Sequence, residues 1–465
     1  MSHPGPGWVE YRGVRELRGP LALVGGVAGV GWDEYVVITL ADGSVRHGLV
    51  LDVNRDAALV QVMEGTSGMD AAGAAYRFSG EPLRIPVGTA WLGRACNGRG
   101  EPIDGGPPVT GARRVPVNGD PLNPMQREAP SEPVLTGVSV IDALTTLVRG
   151  QKLPVFSLPG LPHLRLACQI AAQASAGGEP FSVVFAGIGL PHADVAYARN
   201  VLESRAAAGE LVLLLNAADD PVIERILTPR IALTIAEHLA FETARHVLVV
   251  MTDMTSYAEA LREISAARGE MPARRAYPGY LYSDLASLYE RCGKIVGQPG
   301  SVTVLPVLTM PGGDITHPVP DLTGYITEGQ IIFSAQMHLH NIYPPVDALS
   351  SLSRLMRRGA GAGRTRDDHL PVAAQLLASL AHARQVSALA ELIGPDALTA
   401  TDRSYLLFED DFAAKLVNQR PDMARPLDET LDRAWEVLAR LPRSELSMLP
   451  SGLLDAHRSD SVQGA

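Results

Sequence analysis

The chain has few cysteines, and their spacing limits what they can do. The 465 residues include three, Cys96, Cys168 and Cys292, each far from the others in the sequence. Such wide spacing argues against both a disulfide framework and a cysteine-rich metal cluster. A free cysteine packs as a small hydrophobic residue, so we expect three buried, reduced thiols. This composition is typical of a cytoplasmic protein.

Long apolar runs and an excess of positive charge are also absent. The longest apolar runs, near residues 211–215 and 246–251, are only as long as a strand, whereas a membrane-spanning helix needs ~20 apolar residues. The N-terminus lacks the basic start and apolar core of a signal peptide. The net charge of −11 is unlike the basic footprint of a nucleic-acid binder. We therefore expect no embedding in a membrane and no nucleic-acid partner.

The residues that are present indicate a folded protein of several domains. Hydrophobic residues make up 46% and charged residues 20% of the sequence, as in globular proteins, and 465 residues are too many for one core. Short strand-like runs separated by turn signals predict a small β-barrel over residues 1–81. Strand-like and helix-length segments alternate over 82–364, which predicts a mostly parallel α/β domain. Helical spacing predicts a helical domain over 365–450, and composition predicts a disordered tail over 451–465.

A degenerate phosphate-binding loop lies in the central region. A working P-loop reads G-x-x-x-x-G-K followed by Ser or Thr, because glycine amides hold phosphate, lysine neutralises it and the hydroxyl binds magnesium. Between a strand-like run and a helix-like run, residues 157–164 here read SLPGLPHL. Pro162 suits the first turn of that helix. The strand-loop-helix form is kept, as in a RecA-like domain, but Ser157, Pro162, His163 and Leu164 cannot supply the chemistry, so we expect no nucleotide hydrolysis there.

Blocks of sequence around this loop carry a specific resemblance. These segments are TGVSVIDAL (136–144), LVRGQKLPVFS (147–157), ILTPR (226–230), MTDMT (251–255), EALREISAARGE (259–270), YPGYLYSDLA (277–286), DITHPVPDLTGYITEGQ (314–330), YPPVD (343–347) and SLSRLM (351–356). In their content and order they resemble the B subunit, the non-catalytic or regulatory subunit, of V/A-type rotary ATPases, also called ATP synthases.

The resemblance implies partners and a place in the cell. It implies a hexameric ring in which this chain alternates with catalytic A subunits around a central-stalk rotor, with a peripheral stalk alongside. Such a ring couples ATP hydrolysis or synthesis to proton or sodium passage through a membrane sector. The chain would then be cytoplasmic and peripheral to the membrane, with Mg-ATP bound at its interface with the catalytic partner and none at its own P-loop.

The same resemblance implies a role for one arginine. Arg354 matches the position from which the family offers an arginine finger in trans, and only Ser350, where the family commonly has proline, departs nearby. A guanidinium suits this role because it is planar and permanently charged. Ser353 and Tyr343 are the further residues expected at the interface nucleotide site.

Other candidates are better explained by structural roles. Asp253 ends an apolar strand, where such enzymes hold magnesium, but Leu164 leaves it without a hydroxyl partner; Ser256 and Glu259 have the spacing of a capping box. Leu190 occupies the neighbourhood in which catalytic relatives place a water-polarising glutamate. Three histidines could serve as metal ligands but are expected to be ordinary: His163, His192 and His317, the last because Pro318 and Pro320 argue against a helix there.

Two surface regions complete the sequence-based hypotheses. Tyr280 and Tyr282, near Arg274 and Arg275, suggest interface packing first and an adenine contact second. The turn over 394–402, with Thr399 and Thr401 as candidate helix caps, lies where the family faces the rotor but carries only two acidic residues. The alternative to a rotary component is an inactive P-loop ring protein that acts only as a scaffold. An RNA-translocating ring ATPase is opposed by the acidic charge and by His163.

Overall fold

A computed structural model describes residues 8–456 of the chain. The first part is an antiparallel sheet of seven strands: Val9–Arg12 (β1), Glu16–Arg18 (β2), Leu21–Gly25 (β3), Glu34–Thr39 (β4), Val45–Val53 (β5), Ala57–Val62 (β6) and Ala75–Pro82 (β7). Their order in the sheet is β1-β7-β4-β5-β6-β3-β2. Strand β4 and the first half of β7 alternate buried and half-exposed residues over one apolar core, as expected for a sheet with one wet face.

Short strands and one short helix connect this sheet to the central domain. They are Arg84–Val87 (β8), Ala95–Asn97 (β9), Arg113–Pro116 (β10), Arg127–Glu128 (β11), Pro133–Val134 (β12), Ser139–Leu144 (α1) and Leu147–Val148 (β13). Strand β10 pairs with β8, and β12 pairs with β13.

The central domain is a mostly parallel sheet with helices on both faces. Its elements are Val155–Ser157 (β14), His163–Gln173 (α2), Phe181–Leu190 (β15), His192–Ala207 (α3), Leu211–Ala217 (β16), Val222–Phe241 (α4), His246–Thr252 (β17), Met254–Arg268 (α5), Leu281–Tyr289 (α6), Gly293–Ile295 (β18), Ser301–Thr309 (β19), Pro318–Ile326 (α7), Gly329–Ile332 (β20), Ala335–Leu339 (α8), Leu352–Ser353 (β21) and Met356–Gly359 (α9). The main strand order is β21-β20-β14-β19-β17-β15-β16-β9.

Alternate residues of the central strands enter two separate cores. Val183 and Phe185 of β15 pack on one side of the sheet, and Val184 and Ala186 pack on the other. A parallel strand buried on both faces appears in sequence as a continuous apolar run. This explains why the strand-like run that begins at His246 coincides with β17.

The C-terminal part has helices as its regular secondary structure over its described residues, joined by loops such as residues 418–426. It contains His369–Ile393 (α10), Ala400–Asp411 (α11), a π-helical segment Phe412–Val417 and Leu427–Leu438 (α12). Its buried residues belong to the same apolar core as one face of the central sheet. The predicted fold class is confirmed, but residues 451–456 form a helix, so the predicted disordered tail does not begin at 451; residues 457–465 lie outside the described part.

Within residues 8–456, no helix has the length and apolar character needed to cross a membrane. The three cysteines are free and buried, as predicted. Burial raises the pKa of each thiol, which keeps it protonated and unreactive near neutral pH.

Candidate functional site

The P-loop position keeps its shape, but apolar packing replaces its chemistry. Strand β14 ends at Ser157, and α2 begins at His163. Leu164, in place of the magnesium-binding hydroxyl residue, is 8% exposed and belongs to the apolar core. Two loop amides are used within the loop, because the N–H of Leu161 donates to the carbonyl of Leu158 and the N–H of His163 donates to that of Leu161.

The residue before the helix also differs from the prediction. Pro162 was expected in the first turn of the helix, but it is the N-cap residue, without a side-chain cap. Leu190, which lies in the neighbourhood where the family resemblance places a water-polarising glutamate, ends β15 and is 5% exposed within the core. Residues 163, 164 and 190 therefore carry no lysine, hydroxyl or carboxylate.

Asp253 serves the fold at the end of β17. Its Oδ1 accepts a hydrogen bond from the N–H of Thr255 at 2.7 Å, and its Oδ2 accepts from the hydroxyl of Thr309 at 2.7 Å. Asp253 is the N-cap of α5, so the structural interpretation holds. The predicted capping box was wrong, because Ser256 lies inside the helix and Glu259 accepts from the hydroxyl of Tyr277.

Arg354 stands directly after β21 at an exposed position. Its backbone N–H donates to the carbonyl of Glu328 at 3.0 Å. Its guanidinium makes no hydrogen bond or ion pair with any residue in the described part of the chain. The backbone is thus fixed while the charged group remains available to another molecule.

Ser353 is half-buried, and its hydroxyl is already engaged. It accepts a hydrogen bond from Nε2 of Gln151 at 2.8 Å and donates to the carbonyl of Thr146 at 3.1 Å. These contacts tie β21 to the segment before β14. They favour a supporting role for Ser353 over a direct contact with nucleotide.

Tyr343 lies between the P-loop helix and the C-terminal domain. Its hydroxyl donates to Oε1 of Gln169 on α2 at 2.9 Å, and its carbonyl accepts from the N–H of Gln419 at 2.7 Å. Burial raises the pKa of this tyrosine well above its ordinary value. Tyr343 and Ser353 share no hydrogen-bond partner among residues 8–456, so each supports a different part of the fold.

The histidines have ordinary surroundings. His163 is half-buried at the start of α2, and exposed His192 pairs with Asp219 at 2.9 Å. His317 caps α7 by accepting from the N–H of Val319. A helix nevertheless follows His317, at Pro318–Ile326, so the prediction that Pro318 and Pro320 prevent one was wrong: prolines in the first turn of a helix disturb no hydrogen bond. No group of three or more metal-ligating side chains occurs among the described residues.

The arginines near Tyr280 and Tyr282 are also paired. Arg274 donates to the carbonyl of Thr316 at 2.7 Å, and Arg275 pairs with Asp314 at 2.7 Å. Tyr282 is 49% exposed, whereas Tyr280 is half-buried. Interface packing of these tyrosines stays a prediction.

The residues that hold the backbone around Arg354 were not predicted from the sequence. Gln151 and Glu328 lie 177 positions apart in the sequence yet are joined by a 3.0 Å hydrogen bond. The available signal was a pair of polar residues, Gln151 and Lys152, beside the apolar strand β14. Such a pair can be recognised as buried only after the fold is known.

Three family models match successive parts of the chain. Residues 14–80 match the β-barrel domain of the ATP synthase alpha/beta family, residues 137–353 match its nucleotide-binding domain, and residues 358–458 match the C-terminal domain of V and A type ATP synthases.

Individual relatives point to the same component of the complex. The chain is 53% identical to the B subunit of the A-type ATP synthase of Aeropyrum pernix over 439 residues, which is 94% of this chain and 95% of that protein. It is similar to a solved structure of a unique ATP synthase subunit, NeqB, from Nanoarcheaum equitans, with a TM-score of 0.73 and 37% identity over 88% of this chain and 100% of that one. The chain therefore belongs to the ATP synthase alpha/beta family, as a B subunit of the V/A-type rotary ATP synthases.

Proposed function

We propose that this chain alternates with catalytic A subunits in a ring and completes their Mg-ATP sites by offering Arg354 in trans. Its own P-loop position would bind no cofactor. The ring would couple ATP hydrolysis or synthesis to the passage of protons or sodium ions through a membrane sector. The observation that carries the proposal is an exposed Arg354 on a fixed backbone, unpaired among the described residues, in a chain whose own slot has lost its catalytic groups.

The chemistry of phosphoryl transfer supports this division of labour. Negative charge shifts among phosphate oxygens in the transition state, and an arginine can bridge two of them with its planar fork. The side chain must come from outside the nucleotide's own loop, which suits a neighbouring protein in the ring. Within this chain, Leu164 and Leu190 supply no group that could hold magnesium or polarise water.

The position of the chain in the complex is part of the proposal. The turn at 394–402 is proposed to face the central-stalk rotor, where Thr399 and Asp402 form a capping box that fixes the start of α11. Leu392, just before this turn, is 84% exposed and offers apolar contact where acidic side chains are sparse. A peripheral stalk and the membrane sector would complete the assembly, with this chain on the cytoplasmic face.

The central test replaces Arg354 in rings reconstituted with the catalytic A subunit. Arginine fingers supplied in trans are worth ~10³–10⁵ in rate in other phosphoryl-transfer proteins. Arg354→Lys and Arg354→Ala should keep the ring assembled and lower ATP turnover by orders of magnitude, because lysine keeps the charge and loses the fork. Arg357→Lys is the matched control, since Arg357 is also exposed and three positions away.

The same measurement decides between this proposal and the scaffold alternative. A scaffold would contribute shape only, so rings carrying Arg354→Ala would hydrolyse ATP at the unmodified rate. In that case the finger would belong to another residue or to no residue of this chain.

A further inference from the structure

A buried glutamine lies at the centre of the hydrogen bonds behind Arg354. Gln151 has no exposed surface and uses both ends of its amide. Its Oε1 accepts from the N–H of Val148 at 2.9 Å. Its Nε2 donates to the carbonyl of Glu328 at 3.0 Å and to the hydroxyl of Ser353 at 2.8 Å. A buried amide satisfied in this way is rigid, because each broken bond would leave a polar group without water.

The two Nε2 contacts reach both sides of the strand pair that ends at Arg354. The carbonyl of Glu328 accepts from Gln151 and also from the N–H of Arg354, the latter at 3.0 Å. On the other strand, Ser353 passes the connection on by donating to the carbonyl of Thr146 at 3.1 Å. One amide therefore fixes the residue before the finger and the carbonyl that holds the finger's own N–H.

Residues next to Gln151 and at the start of β20 also fix the β20–β21 pair. The ammonium of Lys152 lies 2.6 Å from Oε1 of Glu328, and the N–H of Lys152 donates to Oε2 at 2.8 Å. At Gly329, with φ of +141°, an added Cβ would lie 2.3 Å from the carbonyl oxygen of Leu352. The close approach of β20 to β21 therefore requires glycine.

We infer that Gln151 is a positioning residue for Arg354, acting through Ser353 and the carbonyl of Glu328. The inference rests on the proposed function, since it concerns how the finger is presented. Transition-state groups must be held in place before the reaction, and a displacement of about 1 Å can cost ~10²-fold in rate. An exposed arginine has many rotamers, so a fixed backbone is what confines its reach.

The test uses Gln151→Met in rings reconstituted with the catalytic A subunit. Methionine has a similar length and no amide, so it removes both Nε2 bonds, and with them the Oε1 bond to the N–H of Val148, with little change in volume. We expect kcat for ATP hydrolysis to fall about 10- to 100-fold, the range that misplacement of a catalytic group produces, with ring assembly and KM for Mg-ATP unchanged. Ser353→Ala removes one of the two bonds and should give a smaller fall in kcat, which covers the case in which the methionine variant folds poorly.

A double variant distinguishes positioning from general stability. If Gln151 acts through Arg354, then adding Gln151→Met to Arg354→Ala should cause no further loss of kcat. Gln375→Met is the matched control, because Gln375 is also buried and lies in the C-terminal domain. Its Nε2 donates hydrogen bonds to the hydroxyl of Ser379 and to the carbonyl of Glu445. It should leave kcat unchanged.

Two results would overturn the inference. One is an unchanged kcat in both Gln151→Met and Ser353→Ala rings when Arg354→Ala rings are impaired. The other is a loss of the same size in the presence and absence of Arg354. The Arg354→Ala rings distinguish the failure of this inference from the failure of the proposed function. If Arg354→Ala has no effect on kcat, the proposed function fails, and the positioning role fails with it. If Arg354→Ala lowers kcat, only the positioning role is in question.

Discussion

At the scale of single residues, the degenerate P-loop is altered at several positions that one substitution cannot repair. Leu164 is packed in the core, and the N–H groups of Leu161 and His163 already donate to loop carbonyls. A lysine needs the surrounding amides and the magnesium hydroxyl to act on a nucleotide. The inability to bind phosphate and magnesium is therefore a property of the whole loop and not of one residue.

We predict that His163→Lys leaves the isolated chain without ATPase activity. The added charge would face a loop that cannot hold phosphate and a site without a magnesium-binding hydroxyl. The measurement is phosphate release by purified chain free of partners, with the unmodified chain alongside. Magnesium-dependent turnover that follows the protein through size-exclusion chromatography would contradict both the prediction and the non-catalytic role.

Glu224 is a second residue whose environment gives a measurable effect. It is 4% exposed, and its Oε1 lies 3.1 Å from Nε of Arg99. Burial raises the pKa of Glu224 to about 7, although Arg99 opposes the shift. The folded state thus binds this proton more tightly than the unfolded state, for which the ordinary pKa of 4.5 applies.

The sign of the pH dependence follows from the higher pKa of Glu224 in the folded state than in the unfolded state. The stabilising contribution of the proton is complete below the ordinary value of 4.5 and is lost as the pH rises through about 7, in keeping with proton linkage. Glu224→Gln removes this contribution, so the Tm of the unmodified chain should fall relative to the variant between about pH 5 and pH 8. Glu101→Gln is the control, since the exposed Glu101 pairs with the same Arg99; a constant Tm difference for Glu224→Gln would refute the assignment.

At the scale of elements, buried strands were predicted most closely and helix starts least. The strand-like run that begins at His246 coincides with β17, because a strand buried on both faces is apolar at every position and so is visible as a continuous apolar run. Helix starts depend on which side chain reaches a free N–H. Asp253 reaches the N–H of Thr255 at the start of α5, so the later Ser256 is not the cap. In α7, Pro318 and Pro320 lie in the first turn, where a proline needs no N–H partner.

The site was predictable only in part, because it depends on contacts between residues that are far apart in the sequence. Arg354 came from the family resemblance, because exposure and lack of partners are properties of the fold. The partners of Ser353, by contrast, are 202 and 207 positions away. Contacts at such distances depend on the order of strands in the sheet, which no local pattern contains.

The cap of α5 gives a prediction at this scale. Asp253→Ala removes the acceptor for the N–H of Thr255 and for the hydroxyl of Thr309. Loss of an N-cap costs about 0.5–2 kcal/mol, and loss of the hydrogen bond from the half-buried Thr309 hydroxyl adds about 0.5–1.5 kcal/mol. Urea unfolding should show this loss, whereas Thr399→Ala, at the exposed cap of α11, should stay near the lower end of the capping range. Equal losses would mean that the Thr309 contact contributes nothing.

At the scale of the whole molecule, the P-loop helix and the C-terminal domain are joined through uncharged hydrogen bonds. Nε2 of Gln169 on α2 donates to the carbonyls of Arg420 and Met423, both at 3.3 Å. Nε2 of Gln419 donates to the carbonyl of Gly137 at 2.6 Å. Together with the shared apolar core, these contacts pack the helical domain directly against the central domain.

Assembly gives the last prediction. A ring of alternating chains uses two unlike interfaces for each chain, so one kind of chain cannot close the ring by the same contacts. Mixed with the catalytic A subunit, this chain should give complexes of equal stoichiometry in mass photometry. Alone it should remain monomeric or weakly associated, and a well-populated homohexamer would show that its edges are complementary to each other, contrary to the alternating ring.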